Sequence, residues 1–144
     1  MCLYVYLVTD SSLPELPWDK EHAAFNVYRM ERKEGFLRNF AGANAYILGS
    51  HEGCGCGFLS DGLEPKELVA SDASRQALSD HVEEVIRGEG AIFLLAAWDG
   101  DESKTPVGAT VTSRELAAYP WDQTREAPHI LQVTPASGSA SKRS

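Results

Sequence analysis

Ala91-Ile92-Phe93-Leu94-Leu95-Ala96-Ala97-Trp98 is an unbroken apolar run between Gly90 and Asp99-Gly100. Its length suits a strand better than a helix. Apolar side chains on both sides of a pleat need cover on both faces, which places this strand in the middle of a sheet.

Just upstream, the spacing predicts a helix from about Ser71 or Asp72 to Arg87. Either residue can cap it by accepting a bond from a free N–H of the first turn. Ala77, Leu78, His81, Val82, Val85 and Ile86 recur at helical spacing and form one face. Gly88 and Gly90 supply the stop.

Further out, residues 3–9 read as a strand buried on both faces and residues 24–30 as a second strand. Residues 44–48 form a third, which runs straight into a glycine-rich loop. Residues 13–20 hold Pro14 and Pro17 and read as an irregular connection, and residues 60–65 as a polar one. Residues 35–41 fit a short helix or a strand. Residues 110–112 read as a short strand, residues 113–119 as a short helix capped by Ser113, and residues 130–134 as the last strand. The expected fold is α+β or α/β, a single mixed β-sheet of about five strands with one principal helix, about 72–87, packed on it. The expected organisation is one globular domain, 1–134, and a disordered tail, 135–144.

Composition narrows the function classes. The chain has 144 residues and is 43% hydrophobic, enough for a core that needs no disulfide or metal staple in order to fold. Its net charge of −8 lacks the basic footprint of a nucleic-acid binder. Apolar runs of about eight residues fall well short of the ~20 that span a bilayer. Three cysteines, an odd number, and a start without a basic signal region point to a reducing cytoplasm. A small molecule, a protein partner and a homo-oligomer all remain open.

The chemistry concentrates in one loop, Gly49-Ser50-His51-Glu52-Gly53-Cys54-Gly55-Cys56-Gly57-Phe58. Thiolate and imidazole are zinc ligands. The His-x-x-Cys-x-Cys spacing is tighter than paired zinc motifs, although the glycines let the sulfurs turn. His51, Cys54 and Cys56 are therefore candidate metal ligands, with a fourth to come from Cys2, His22, His81, His129 or a carboxylate. Zn is the candidate ion.

The same residues allow two other chemistries. Cys54 and Cys56 point to one side of an extended segment and can form a strained, easily reduced disulfide. One of them can instead be a nucleophile with His51 as its base; in an extended segment Glu52 would point away from that imidazole. The alternative without chemistry is a structural turn in which the cysteines pack as small hydrophobes.

Cys2 would join a thiol to an α-amine if Met1 were removed, as in N-terminal-nucleophile hydrolases. It also suits the start of a buried strand. Asp99, Asp101 and Glu102 offer oxygen ligands for Mg²⁺ or Ca²⁺, or form a solvated turn. Pro-Trp-Asp occurs at residues 17–19 and again at 120–122, too short for a repeat. A non-catalytic interaction module would use exposed Trp18 or Trp121 with the acidic surface.

The segments Met1-Cys2-Leu3-Tyr4-Val5-Tyr6-Leu7, Leu48 to Phe58 and Trp98-Asp99-Gly100-Asp101-Glu102 together resemble a group of small uncharacterised bacterial proteins. The resemblance implies a bacterial, cytoplasmic, single-domain protein. It carries over no reaction, and it draws attention to His51, Cys54 and Cys56 as a site.

Overall fold

The computed structural model describes residues 2–21, 24–30, 44–88, 92–101 and 104–136. The expected tail, the ambiguous segment 35–41, His22 and Glu102 lie outside these residues, apart from 135 and 136. The fold is α+β, one mixed sheet and one main helix. The strands are β1 (Leu3–Thr9), β2 (Phe25–Arg29), β3 (Asn44–Ser50), β4 (Ile92–Trp98), β5 (Val107–Thr112) and β6 (His129–Thr134). That is six, one more than expected, in the order β2-β3-β1-β4-β6-β5. All neighbours are antiparallel except β5 and β6.

The strand β4 is central, as its composition requires. Leu94 and Ala96 join the large core on the helix side, with Leu3, Val5, Leu7, Leu48 and Val133. Leu95 belongs to a smaller cluster with Val8 and Ala45, against which Phe93 packs. The Pro-containing connection is not wholly irregular. Leu16 exchanges two 2.9 Å backbone hydrogen bonds with Val27, lying along the outer edge of β2.

The helix α1 spans Pro65–Ile86, nearly two turns longer than expected at its start. Glu64 is its N-cap, Pro65 opens the first turn, and the Glu67 carboxylate accepts the Glu64 N–H at 3.1 Å. Residues 65–69 are exposed, so they carry no one-sided apolar pattern from which a helix could be read. Ser71 and Asp72 are interior to the helix and do not cap it.

The buried face of α1 is also more polar than its periodicity suggests: Ser71, Ser74, Arg75, Leu78, Ser79, Val82 and Ile86. Each serine hydroxyl donates to a carbonyl outside the helix: Ser71 to Leu59, Ser74 to Ala24 and Ser79 to Ser113. Arg75 is 8% exposed and donates to the Phe58 and Ala117 carbonyls, Ser71 and Asp72. A buried cation supplied with this many acceptors serves as a structural tie.

Residues 114–118 and 121–125 form 3-10 helices. The Ser113 side chain does not cap the first of them, because its hydroxyl turns to Glu83. Trp121 is 1% exposed, its ring 5.8 Å from Phe58 and 4.9 Å from Tyr119, and it belongs to the core. Only Trp18, 47% exposed, remains of the two tryptophans considered for a surface contact.

Asp122 follows this buried tryptophan and clamps the loop after Phe58. Its carboxylate accepts the N–H and hydroxyl of Ser60 and the N–H of Asp61. Burial alone would raise its pKa, but those bonds outweigh burial and hold it below 3.8. A carboxylate depressed on folding stabilises the fold above its unfolded pKa and stops doing so as pH falls through the folded value. Asp122→Ala is expected to cost about 2 kcal/mol at neutral pH. In urea unfolding that difference should shrink steadily below about pH 4; a pH-independent difference would refute the clamp.

His81 gives a second pH effect. Its ring lies 5.3 Å from Phe25, and its buried Nδ1 has no hydrogen-bond partner among the described residues. Burial lowers its pKa below 6.5, while Glu84 pulls weakly the other way. The unfolded chain therefore takes up a proton before the folded one, so stability falls as pH drops through about 6.5. His81→Leu is expected to flatten the decline in urea midpoint between pH 7 and 5. An equally steep decline in the variant would place its origin elsewhere.

Candidate functional site: a three-cysteine cluster

Three elements bring the cysteines together. Cys2 immediately precedes β1, and its carbonyl accepts the Asp99 N–H at 2.9 Å, tying it to the end of β4. Cys54 and Cys56 lie beyond β3, where Gly55–Phe58 forms a 3-10 turn.

Ser50, fully buried at the end of β3, organises the loop between them. Its N–H and Oγ both donate to the Cys54 carbonyl, at 2.8 and 2.6 Å, and its Oγ accepts from the N–H groups of Glu52 and Gly57. Gly53 has φ +89°, a conformation other L-residues rarely adopt. Sequence reading passed over Ser50. The signal was a small hydroxyl residue ending a strand before glycine-loosened backbone, which favours local side-chain-to-backbone bonds.

The turn lies directly against β1. A Cβ on Gly55 would sit 2.7 Å from the Leu3 carbonyl oxygen. The Leu3 N–H donates to Cys56 Sγ at 3.3 Å. The sulfurs of Cys2, Cys54 and Cys56 all lie within 4.8 Å of one another, and all three residues are half-buried with free thiols. Among the described residues this is the one group of three or more His, Cys, Asp or Glu side chains close enough to share a metal ion.

Burial pushes the Cys54 thiol up, partly offset by the Cys56 amide N–H. It therefore holds its proton at neutral pH until something displaces it. Nearby, Asp99, followed by Cys2, raises the Tyr4 phenol. Asp99 does not join the group of ligand atoms. Asp101 pairs with Lys104 at 3.3 Å, just after the turn that contains Gly100.

His51 is not in the cluster. Its Nδ1 lies 2.9 Å from Ser74 Oγ, its backbone N–H donates to the same oxygen, and its Nε2 is 3.8 Å from Glu52. Glu52 thus does reach the imidazole, because residues 51–52 turn and the neighbouring side chains do not diverge as in a strand.

Ser74, His51 and Glu52 invite comparison with a hydrolytic triad. The hydrogen-bond inventory argues against one. Ser74 already gives its single O–H proton to the Ala24 carbonyl at 2.7 Å. It can only accept from His51 Nδ1–H, so the imidazole cannot take the seryl proton. Ser74 is also 0% exposed. His51 pins the loop to α1.

The remaining expected ligands lie elsewhere. His129 is 4% exposed and its Nδ1 is bonded to the Tyr119 hydroxyl. His81 faces Phe25. Of the residues read from the sequence as a site, the fold thus gathers Cys54, Cys56 and Cys2.

The fold and site define the class: an α+β domain with a half-buried three-thiol cluster at the junction of β1, the end of β4 and the loop after β3. Compared with protein-family models, curated proteins and solved structures, the chain gives no match. No helix of the described residues is long and apolar enough to cross a membrane.

Proposed function

We propose that Cys2, Cys54 and Cys56 bind one soft metal ion, with Zn among the candidates. The supporting observation is the mutual approach of three sulfurs to within 4.8 Å. Thiolates around an ion at about 2.3 Å stand roughly 3.8 Å apart, so only small movements separate these sulfurs from a coordinating arrangement. The Leu3 N–H already points at one sulfur, as outer donors do in thiolate sites. A reducing compartment, such as the bacterial cytoplasm suggested by the sequence resemblance, would keep the thiols available.

The test is elemental analysis of protein purified without a metal-affinity tag, followed by titration with metal. About one equivalent is expected, with protons released as the thiols ionise. Less than about a tenth of an equivalent, with no uptake on titration, would remove the reading. Thiol counts with and without reductant test the redox alternative, which requires two of these cysteines to pair reversibly.

A second reading is supported by a separate feature. Leu16, Pro17, Ala24, Phe25 and Ala77 line a groove of about 490 Å³ with Asp19 and Glu21 among its walls. Trp18, Leu16 and Tyr28 are exposed around this part of the chain. The acidic groups favour an apolar protein segment carrying basic residues. Trp18→Ala combined with Glu21→Lys should abolish capture of such a peptide and leave metal uptake unchanged; unchanged peptide capture counts against this reading.

A further inference from the structure

We propose that the ion held by Cys2, Cys54 and Cys56 is three-coordinate and monovalent, of the Cu(I) class; this rests on the metal-site reading above. The argument is an inventory of donors. The cluster has three sulfurs and no fourth His, Asp or Glu among the described residues.

Among the described residues, each side chain considered for the fourth corner of a tetrahedron has another position or partner. His51 is held by Ser74, His129 by Tyr119, and Asp101 by Lys104. His81 lies against Phe25. Asp99 is near enough to act on Tyr4 but stands outside the group. Zinc in structural sites is almost always four-coordinate, and the described residues bring only three donors together here. A soft monovalent ion completes its shell with thiolates alone.

The surroundings point the same way. The Leu3 N–H donates to Cys56 Sγ at 3.3 Å, so a backbone amide helps to carry the negative charge of an all-sulfur site. The half-burial of all three cysteines leaves the cluster reachable. Binding exchanges three S–H protons for one ion, with no change of oxidation state. Three protons are released, and the centre carries two negative charges for Cu(I) and one for Zn²⁺.

The experiment loads reduced, untagged protein anaerobically with Cu(I) and, separately, with Zn²⁺. X-ray absorption gives the first shell of each ion, and single Cys2→Ser, Cys54→Ser and Cys56→Ser variants are loaded in parallel, with circular dichroism as the check on folding. One Cu(I) per chain is expected, surrounded by three sulfurs and no nitrogen or oxygen. Each folded variant should lose the three-sulfur shell, and bound Zn²⁺ should show a nitrogen or oxygen neighbour. A Cu(I) shell of two sulfurs, or one containing nitrogen or oxygen, overturns the inference while leaving a metal site. A Zn²⁺ ion held by four protein donors and not displaced by an equivalent of Cu(I) does the same. Binding of neither ion overturns the site itself. Should a serine variant fail to fold, the wild-type shell still decides the coordination number.

Discussion

Cys54→Ser is expected to weaken soft-metal binding by at least about a hundredfold while leaving the metal-free fold nearly as stable as the parent. Zinc sites with four ligands bind with apparent free energies of about 10–16 kcal/mol, on the order of 3 kcal/mol per ligand. At 1.4 kcal/mol per decade, losing one of three sulfurs costs two decades or more. The fold should be spared because Cys54 is half-buried, and the bonds that shape its loop use its carbonyl and the Ser50 side chain, not its sulfur. His51→Ala provides the contrast. It breaks a tie to Ser74 and should lower stability by roughly 1 kcal/mol without removing a metal donor. Competition with a chromophoric chelator measures the affinities, and urea unfolding the stabilities. Equal metal affinity in Cys54→Ser and wild type would dismiss the three-thiol site.

Gly55→Ala is expected to damage fold and site together. The added methyl would meet the Leu3 carbonyl oxygen at 2.7 Å and Val5 Cγ2 at 3.2 Å. The first obstacle is backbone of β1, held at Leu3 by its pairing with Trp98 of β4 and from Val5 onward by β3 as well, and it has little freedom to retreat. The turn must move outward, stretching the Leu3 N–H to Cys56 Sγ bond and drawing Cys54 and Cys56 away from Cys2. Overpacking of this kind costs about 1–3 kcal/mol. For a domain of this size that lowers Tm by several degrees. Metal affinity should fall with it. Gly88→Ala is the control: a methyl there meets nothing within 4 Å, and stability should change by less than about 0.5 kcal/mol. If Gly55→Ala melts and binds metal like the wild type, the close approach of turn and strand is not what assembles the cluster.

The site shows how far local sequence carries an argument. Cys54 and Cys56 stood out through their spacing and the surrounding glycines. His51 stood out for the same reason, yet its ring is taken by Ser74 on a helix that passes beside the loop. Nothing within the loop indicates that contact. As a metal ligand, Cys2 was one of several candidates for a fourth position, because no local pattern relates residue 2 to residues 54–56. The polar side of α1 was similarly hidden: its serines and Arg75 are buried against carbonyls contributed by other segments.

The amino-acid sequence alone determined the apolar runs and their periods, and with them the central strand β4, the apolar stripe of α1 and the α+β class. Burial of apolar surface depends on short-range patterning, so those features are local. Tertiary structure alone decided the parallel pairing of β5 with β6, the exposed first turns of α1, the burial of Trp121 and the meeting of three sulfurs without the imidazole. Each of these depends on distant segments arriving at one place. Strand register and the absent side chain of Gly55 control that arrival, and neither is expressed in the spacing of the cysteines.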